Sequence, residues 1–203
     1  MIKILLKTKL FFVILTIGSV LKADPYSLAN ISQYLTNLKF LKADFLQTSA
    51  DGTASSGAIL IKRPGRMRFE YYKPDKTLVL ISSGALAIFD PKGDEEPVTY
   101  PIKNNPISLV LTGEVDLLNS GIVENYEKNI EEAVLTIRDP KRPERGSVEL
   151  VFTGAKPELK QFSIKNENGS STSILLNDIE YPKKINETLF SISLEINKRK
   201  NRN

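Results

Sequence analysis

The chain has 203 residues, with no cysteine and no histidine. Those two absences exclude disulfides, thiolate nucleophiles, cysteine-linked lipid, Ser-His-Asp triads and most zinc sites. The net charge of +4 sits at the ends. The four lysines of the first 23 residues leave 24 basic against 24 acidic residues, and the tail Lys198, Arg199, Lys200 and Arg202 leaves 20 against 24 over residues 24–197, a balance that argues against nucleic-acid binding.

Lys3, Lys7 and Lys9 precede an apolar run from Leu10 to Leu21 that ends in Leu21-Lys22-Ala23. This is the pattern of a cleavable secretory signal over 1–23, with an apolar core too short to span a bilayer. The remaining 180 residues (24–203) suit one domain with a sizeable core, and the basic tail 198–203 reads as a solubilising end. Asp24-Pro25 has the form of a helix cap followed by an N1 proline. Leu28, Ile31, Leu35 and Leu38 then recur at helical spacing, with Tyr34 alongside.

A strand over 40–47 follows, with Leu41, Ala43 and Phe45 in one phase, and then a polar loop over 50–56. The stretch from Gly57 to Pro74 reads as a hairpin turning at Pro64-Gly65. Met67, Phe69 and Tyr71 alternate with Arg66, Arg68 and Glu70, the period of a half-buried strand. A two-residue turn would set Lys62 beside Met67 and mix charge into the apolar face. A three-residue turn pairing Arg63 with Met67, Ile61 with Phe69 and Ile59 with Tyr71 keeps that face apolar, and is preferred because register follows burial. Arg63 is then the one charge on that face, and it needs acceptors.

Strands over 78–81 and 86–89 flank a Ser83-Gly84 turn, and Asp90-Pro91 closes the second. From Pro91 to Pro106 runs a connection with four prolines, long enough to suggest a role of its own. It ends in Asn105-Pro106, a second helix start leading to Ile107, Val110 and Leu111 and stopping at Gly113. Strands resume over 122–126, 133–137, 147–152, 159–165, 172–181 and 189–196, with Asn168-Gly169 as the clearest hairpin turn. The pattern is a mainly β (α+β) antiparallel meander in which two apolar helices are the available covers for a curved sheet.

No GxSxG, Walker or GxGxxG motif occurs, and the paired carboxylates Glu131-Glu132 and Asp94-Glu95 read as solvated charge. Arg138 to Arg145 is a mixed-charge hairpin tip, a solvated loop or a docking one. The residues make a poor case for an enzyme and ask for no cofactor.

Several stretches together resemble the LolA family. These are Lys42-Ala43-Asp44-Phe45-Leu46-Gln47, Lys62-Arg63-Pro64-Gly65-Arg66, Phe69-Glu70-Tyr71, Pro74, the Ser83-Gly84 turn and Phe89-Asp90-Pro91. Asn166-Glu167-Asn168-Gly169, 172–176 and Phe190 extend the likeness over nearly all of 24–203, the Lys-Arg-Pro hairpin being its most specific part. The resemblance implies an incomplete antiparallel β-barrel with a helical lid over an apolar cavity, in a periplasmic carrier of outer-membrane lipoproteins. Its partners would be acylated lipoproteins, an inner-membrane lipoprotein-releasing ABC transporter and an outer-membrane acceptor, with the carrier acting as a monomer. A half-barrel module that senses or scaffolds lipid or protein in the bacterial envelope is the alternative. Phe45, Ile59, Ile61, Met67, Phe69, Tyr71 and Phe89 are expected to line the cavity, and Leu28, Ile31, Leu35, Ile107, Val110 and Leu111 to form a movable lid. Arg63 matches the family arginine that bonds lid backbone and holds the cavity shut. Met67 and Ala87 stand where many members carry aromatics, which implies a repacked pocket wall.

Overall fold

The computed structural model describes residues 24–92 and 96–201, so the signal assigned to 1–23 lies outside the described residues. Helix α1 spans Leu28–Asn37 and is capped by Ser27, whose hydroxyl accepts from Asn30 N, rather than by Asp24. Asp24 instead braces the approach, its Oδ1 accepting from Tyr26 N and its carbonyl from Asn30 Nδ2. Ten-residue helices are marginal alone, so α1 depends on burying Ile31 and Leu35.

The strands are β1 (Phe40–Thr48), β2 (Ala54–Lys62), β3 (Arg66–Tyr71), β4 (Leu78–Ser82), β5 (Ala85–Phe89), β6 (Val98–Pro101), β7 (Val123–Lys128), β8 (Glu132–Arg138), β9 (Ser147–Thr153), β10 (Glu158–Lys165) and β11 (Ser171–Glu180). They form one antiparallel sheet in the order β6-β5-β4-β3-β2-β1-β11-β10-β9-β8-β7, open between β6 and β7. Two consecutive meanders therefore join along β1 and β11. Irregular pairings in β1–β11, β9–β10 and β7–β8 each insert one residue and sharpen the curl of the C-terminal half.

Alternation sends one face of the strands inward, except in β6, whose four residues are all exposed. Leu41 and Phe45 of β1, Ile59 of β2, Leu135 of β8, Leu150 of β9 and Leu176 of β11 meet in one core with Ile31 and Leu35 of α1. Gly57 lies opposite Phe45 and makes room for its ring: a Cβ there would fall 2.7 Å from Phe45 Cε1 and 2.3 Å from Glu70 O. Phe45 thereby meets Phe69 and Tyr71 edge to face, with centroids 5.5 and 5.1 Å away.

Three sequence expectations are corrected by this layout. The proline-rich connection contributes the short edge strand β6, which pairs with β5. The start at Asn105 leads only to a 3-10 turn, Pro106–Leu109, with Asn105 accepting from Ile107 N. Residues 189–196 are not a strand: a 3-10 turn (Glu187–Phe190) leads into helix α2 (Ile192–Lys200). Ser191 caps α2, and Lys198, Arg199 and Lys200 occupy its last turn, where cations complement the helix dipole. Lys198, Arg199 and Lys200 of the basic tail are thus helical. Arg199 stacks over the Phe89 ring at 4.8 Å and donates to Asp90 O, while Lys200 bonds Glu96.

Candidate functional site

The hairpin of β2 and β3 reaches from the sheet to the cover. Its loop has three residues, but they are Arg63, Pro64 and Gly65, with Lys62 opposite Arg66, Ile61 opposite Met67 and Ile59 opposite Phe69. The register expected from sequence is therefore displaced by two residues, which preserves the inward face while moving every partner. Gly65 decides it: at φ 73° it supplies the left-handed residue that a three-residue hairpin loop needs at its last position. Phe45, Ile59, Ile61, Met67 and Phe69 are buried on the concave face, and Tyr71 is half-buried at its edge with its hydroxyl donating to Gln47 at 2.6 Å. Burial, aided by Asp75 and opposed by the Gln47 bond, pushes the Tyr71 phenol up to about 12, so it is a neutral donor.

Phe89 is not among them. It pairs with Leu78 on the opposite, convex face and packs with Leu80 and Ala87 beneath Ile192 and Ile196 of α2. The Ser83-Gly84 turn sets the phase of β5 so that Leu86 and Ile88 point inward and Ala87 and Phe89 outward. Ala87 is accordingly no part of a pocket wall.

Two covers close the concave face. The first is α1, with Ile31 and Leu35 buried and Leu28 packed at the edge of the same core. The buried Tyr26 hydroxyl donates to Glu131 O at 2.6 Å, sharing with Gly154 O at 2.8 Å, and Tyr26 O accepts from the Tyr126 hydroxyl. Tyr34 O–H accepts from Leu159 N at 3.1 Å and shares a hydrogen bond with Tyr181. Both ends of α1 are thus tied to the C-terminal half of the sheet.

The second cover is a strap over residues 102–117 in which Ile107, Val110, Leu111, Val115 and Leu117 are buried. The hairpin loop holds it from one side: Gly65 N donates to Leu111 O at 2.8 Å, and Arg63 Nη2 donates to Thr112 O. Helix α1 holds it from the other, where Ser32 and Thr36 accept from Leu117 N at 3.0 Å and Val115 N at 3.3 Å. Arg145 in the β8–β9 connection donates to Lys103 O at 2.8 Å. Sequence reasoning missed Tyr26, Ser32 and Thr36. The last two do carry a signal, a polar pair at i, i+4 beside the apolar stripe of α1.

Arg63 is 6% exposed, which is burial rather than a side chain snorkelling to the rim. Its N–H donates to its own chain's Lys39 O, and its side chain lies among Leu35, Leu38, Ile61, Met67, Leu159 and Phe162. Burial lowers its pKa to about 10, with Tyr34 nearby opposing the shift, so it is cationic at neutral pH. The space left between this group and the covers is ≈ 30 Å³, room for a water and no acyl chain. A wider cleft of ≈ 690 Å³ flanks the strap on its outer side, between Leu109 and Thr112 and the arginines Arg142 and Arg145. Among the described residues no group of three His, Cys, Asp or Glu side chains could hold a metal ion.

An open antiparallel half-barrel, apolar on its concave face and closed by a helix and a strap, defines the class of molecule. The chain belongs to the LolA family, outer membrane lipoprotein carrier protein, whose family model matches residues 36–193. It is 25% identical over 187 residues to an outer-membrane lipoprotein carrier protein of Methylococcus capsulatus, covering 87% of this chain and 88% of that one. Its match to the outer-membrane lipoprotein carrier protein of Coxiella burnetii is 30% identical over 108 residues, covering 49% of this chain and 51% of that protein. Among solved structures, a LolA superfamily protein from Nitrosomonas europaea aligns at a TM-score of 0.43 with 10% identity, covering 81% of this chain and 97% of that one.

Proposed function

We propose that this protein is a periplasmic carrier that takes the acyl chains of lipoproteins released from the inner membrane and delivers them to the outer membrane. The observation that carries this reading is the concave face itself, an apolar surface sealed to ≈ 30 Å³ by covers that contribute no strand to the sheet. At about 0.8 kcal/mol per buried CH₂, one sixteen-carbon chain is worth roughly 12 kcal/mol. Release into water at that cost is too slow to be useful. Cargo therefore passes directly from a donor, an inner-membrane lipoprotein-releasing ABC transporter, into the cavity and on to an outer-membrane acceptor. The strap, and to a smaller degree α1, opens to admit the chains, and the outer cleft beside Leu109 and Thr112 offers the strap somewhere to go. Arg63 acts as a latch: its bond to Thr112 O favours closure by an amount cargo can still overcome. Phe45, Ile59, Ile61, Met67, Phe69 and Tyr71 form the wall that meets the chains. Mass spectrometry of the protein purified from periplasm tests the proposal. Stoichiometric acylated lipoprotein or lipopeptide is expected, and a consistently empty cavity under conditions of lipoprotein synthesis would contradict it.

A further inference from the structure

The latch leaves most of its hydrogen-bonding capacity unused. A guanidinium offers five N–H donors in a planar fork. Arg63 spends one nitrogen, Nη2, on Thr112 O. Its Nε and Nη1 are buried and have no acceptor within hydrogen-bond reach among the described residues. Buried donors without partners are rare because each costs about 1–3 kcal/mol, more on a charged group. If closure were the only task of this residue, a lid carbonyl facing Nε would be the simple remedy, and none is there.

The surroundings restrict what can answer those donors. The space they face is walled by Leu35, Leu38, Met67, Leu111, Leu159 and Phe162. A water there could accept from the guanidinium, but its own two protons would face apolar side chains. Whatever partners Nε and Nη1 must therefore arrive as part of something apolar enough to enter the cavity. An acyl chain qualifies, and it carries one kind of strong acceptor, the carbonyl oxygen of the linkage at its head. We infer that Arg63 is the binding site for the ester carbonyl oxygens of the acyl cargo. The inference rests on the carrier reading and deepens it.

Loading then becomes an exchange of acceptors. In the closed protein Nη2 holds Thr112 O while Nε and Nη1 are unsatisfied. As the strap lifts, Thr112 O leaves, and the whole edge of the guanidinium meets the ester carbonyls. The fork geometry suits two oxygens side by side, as two ester-linked chains on adjacent carbons present them. Carbonyl capture also sets depth: the chain heads stop at the level of Arg63 and the hydrocarbon runs on toward Phe45 and Phe69. Unloading reverses the exchange, and the strap carbonyl competes for the donor that the cargo must give up.

The test uses two synthetic lipopeptides that differ in one respect. Both carry two sixteen-carbon chains on a glyceryl thioether of cysteine, one through esters and the other through ethers, which lack the carbonyl oxygens. Wild-type protein is expected to bind the diester about 10–100-fold more tightly, the range of a charge-assisted hydrogen bond in a dry site. The ratio is expected to fall to about 1 in Arg63→Met and to be partly kept in Arg63→Lys, which retains charge without the fork. Equal affinity of the wild type for both would overturn the assignment while leaving the carrier reading intact. Binding of neither would overturn both. Palmitate that binds more tightly than the diester would place a free carboxylate at Arg63 and also overturn the assignment.

Discussion

The two covers of the cavity are held in different ways, and the difference divides labour between them. Helix α1 is pinned to the sheet at Tyr26 and at Tyr34, four residues of distinct strands or turns answering two phenols, and it sinks Ile31 and Leu35 into the core. The strap over 102–117 is two short 3-10 turns (Ile102–Asn104 and Pro106–Leu109) and irregular chain, held by the hairpin loop, by two hydroxyls of α1 and by Arg145. Short helical turns with few backbone bonds belong to the low-stability end of a structure. Helix α1 is therefore expected to move less than the strap. The movable lid expected from Leu28, Ile31, Leu35, Ile107, Val110 and Leu111 would then open mainly on the side of the strap.

The largest expected effect breaks this comparison if it is wrong. Ile31→Ala should lower global stability by about 2–5 kcal/mol, the usual cost of truncating a buried isoleucine. Ile107→Ala, equally buried, should cost less, because its loss cannot exceed the free energy of closing the strap. Urea unfolding of both variants measures it, and equal losses would merge the two covers into one unit. Next in size, Arg63→Leu should still take up acyl chains, without the preference for esters, yet transfer lipopeptide to acceptor membranes about 10-fold or more slowly, since one charge-assisted bond of roughly 1.5–3 kcal/mol no longer favours closure. Transfer at the wild-type rate would reduce Arg63 to a filler of space. Smaller still, Ser32→Ala with Thr36→Ala should cost about 0.5–1.5 kcal/mol for each bond lost and raise amide exchange at Val115 and Leu117 while leaving β1 and β2 unchanged.

The pH profile is expected to show the smallest change. Asp51, Asp116 and Asp139 are held below their ordinary 3.8, first by the backbone N–H groups of Thr53, Asn119 and Lys141. A carboxylate with a depressed folded pKa contributes stability that is present above its unfolded value and lost as pH falls through the folded one. Arg63 has the opposite sign: the penalty of burying its cation is fully present below about 10 and is relieved only above it. With no histidine in the chain, urea midpoints should stay level between about pH 6 and 9 and decline below about 4. A transition near neutrality would point to a titrating group outside this account.

What sequence could show followed from how local each cause was. The inward phase of β1, β2 and β3 is written in alternating residues and does not depend on the partner strand. Hairpin register depends on which loop residue takes positive φ, so Gly65 sets a pairing two residues away from the one that apolar matching alone favours. Helix α2 was hidden because Leu189 to Ile196 alternates as a strand would. Its cap at Ser191 and the spacing of Ile192 and Ile196 become decisive only when the apolar patch of Leu78, Leu80, Ala87 and Phe89 is known to face outward. The face of Phe89 is hidden in sequence for the same reason: a meander has two faces, and β5 carries apolar residues on both. Arg63 could be singled out by its place in the hairpin, but its unpartnered nitrogens exist only in three dimensions.

Hydrogen exchange with and without a diester lipopeptide tests the central claim most directly, that an apolar half-barrel is opened by its strap. In the empty protein the amides over 107–117 should exchange well before those of β1 and β2, with α1 between them. Bound lipopeptide should raise exchange in the strap further and slow it in the strands facing the chains. Protection of the strap equal to that of β1 and β2, unchanged when lipopeptide is added, would contradict it.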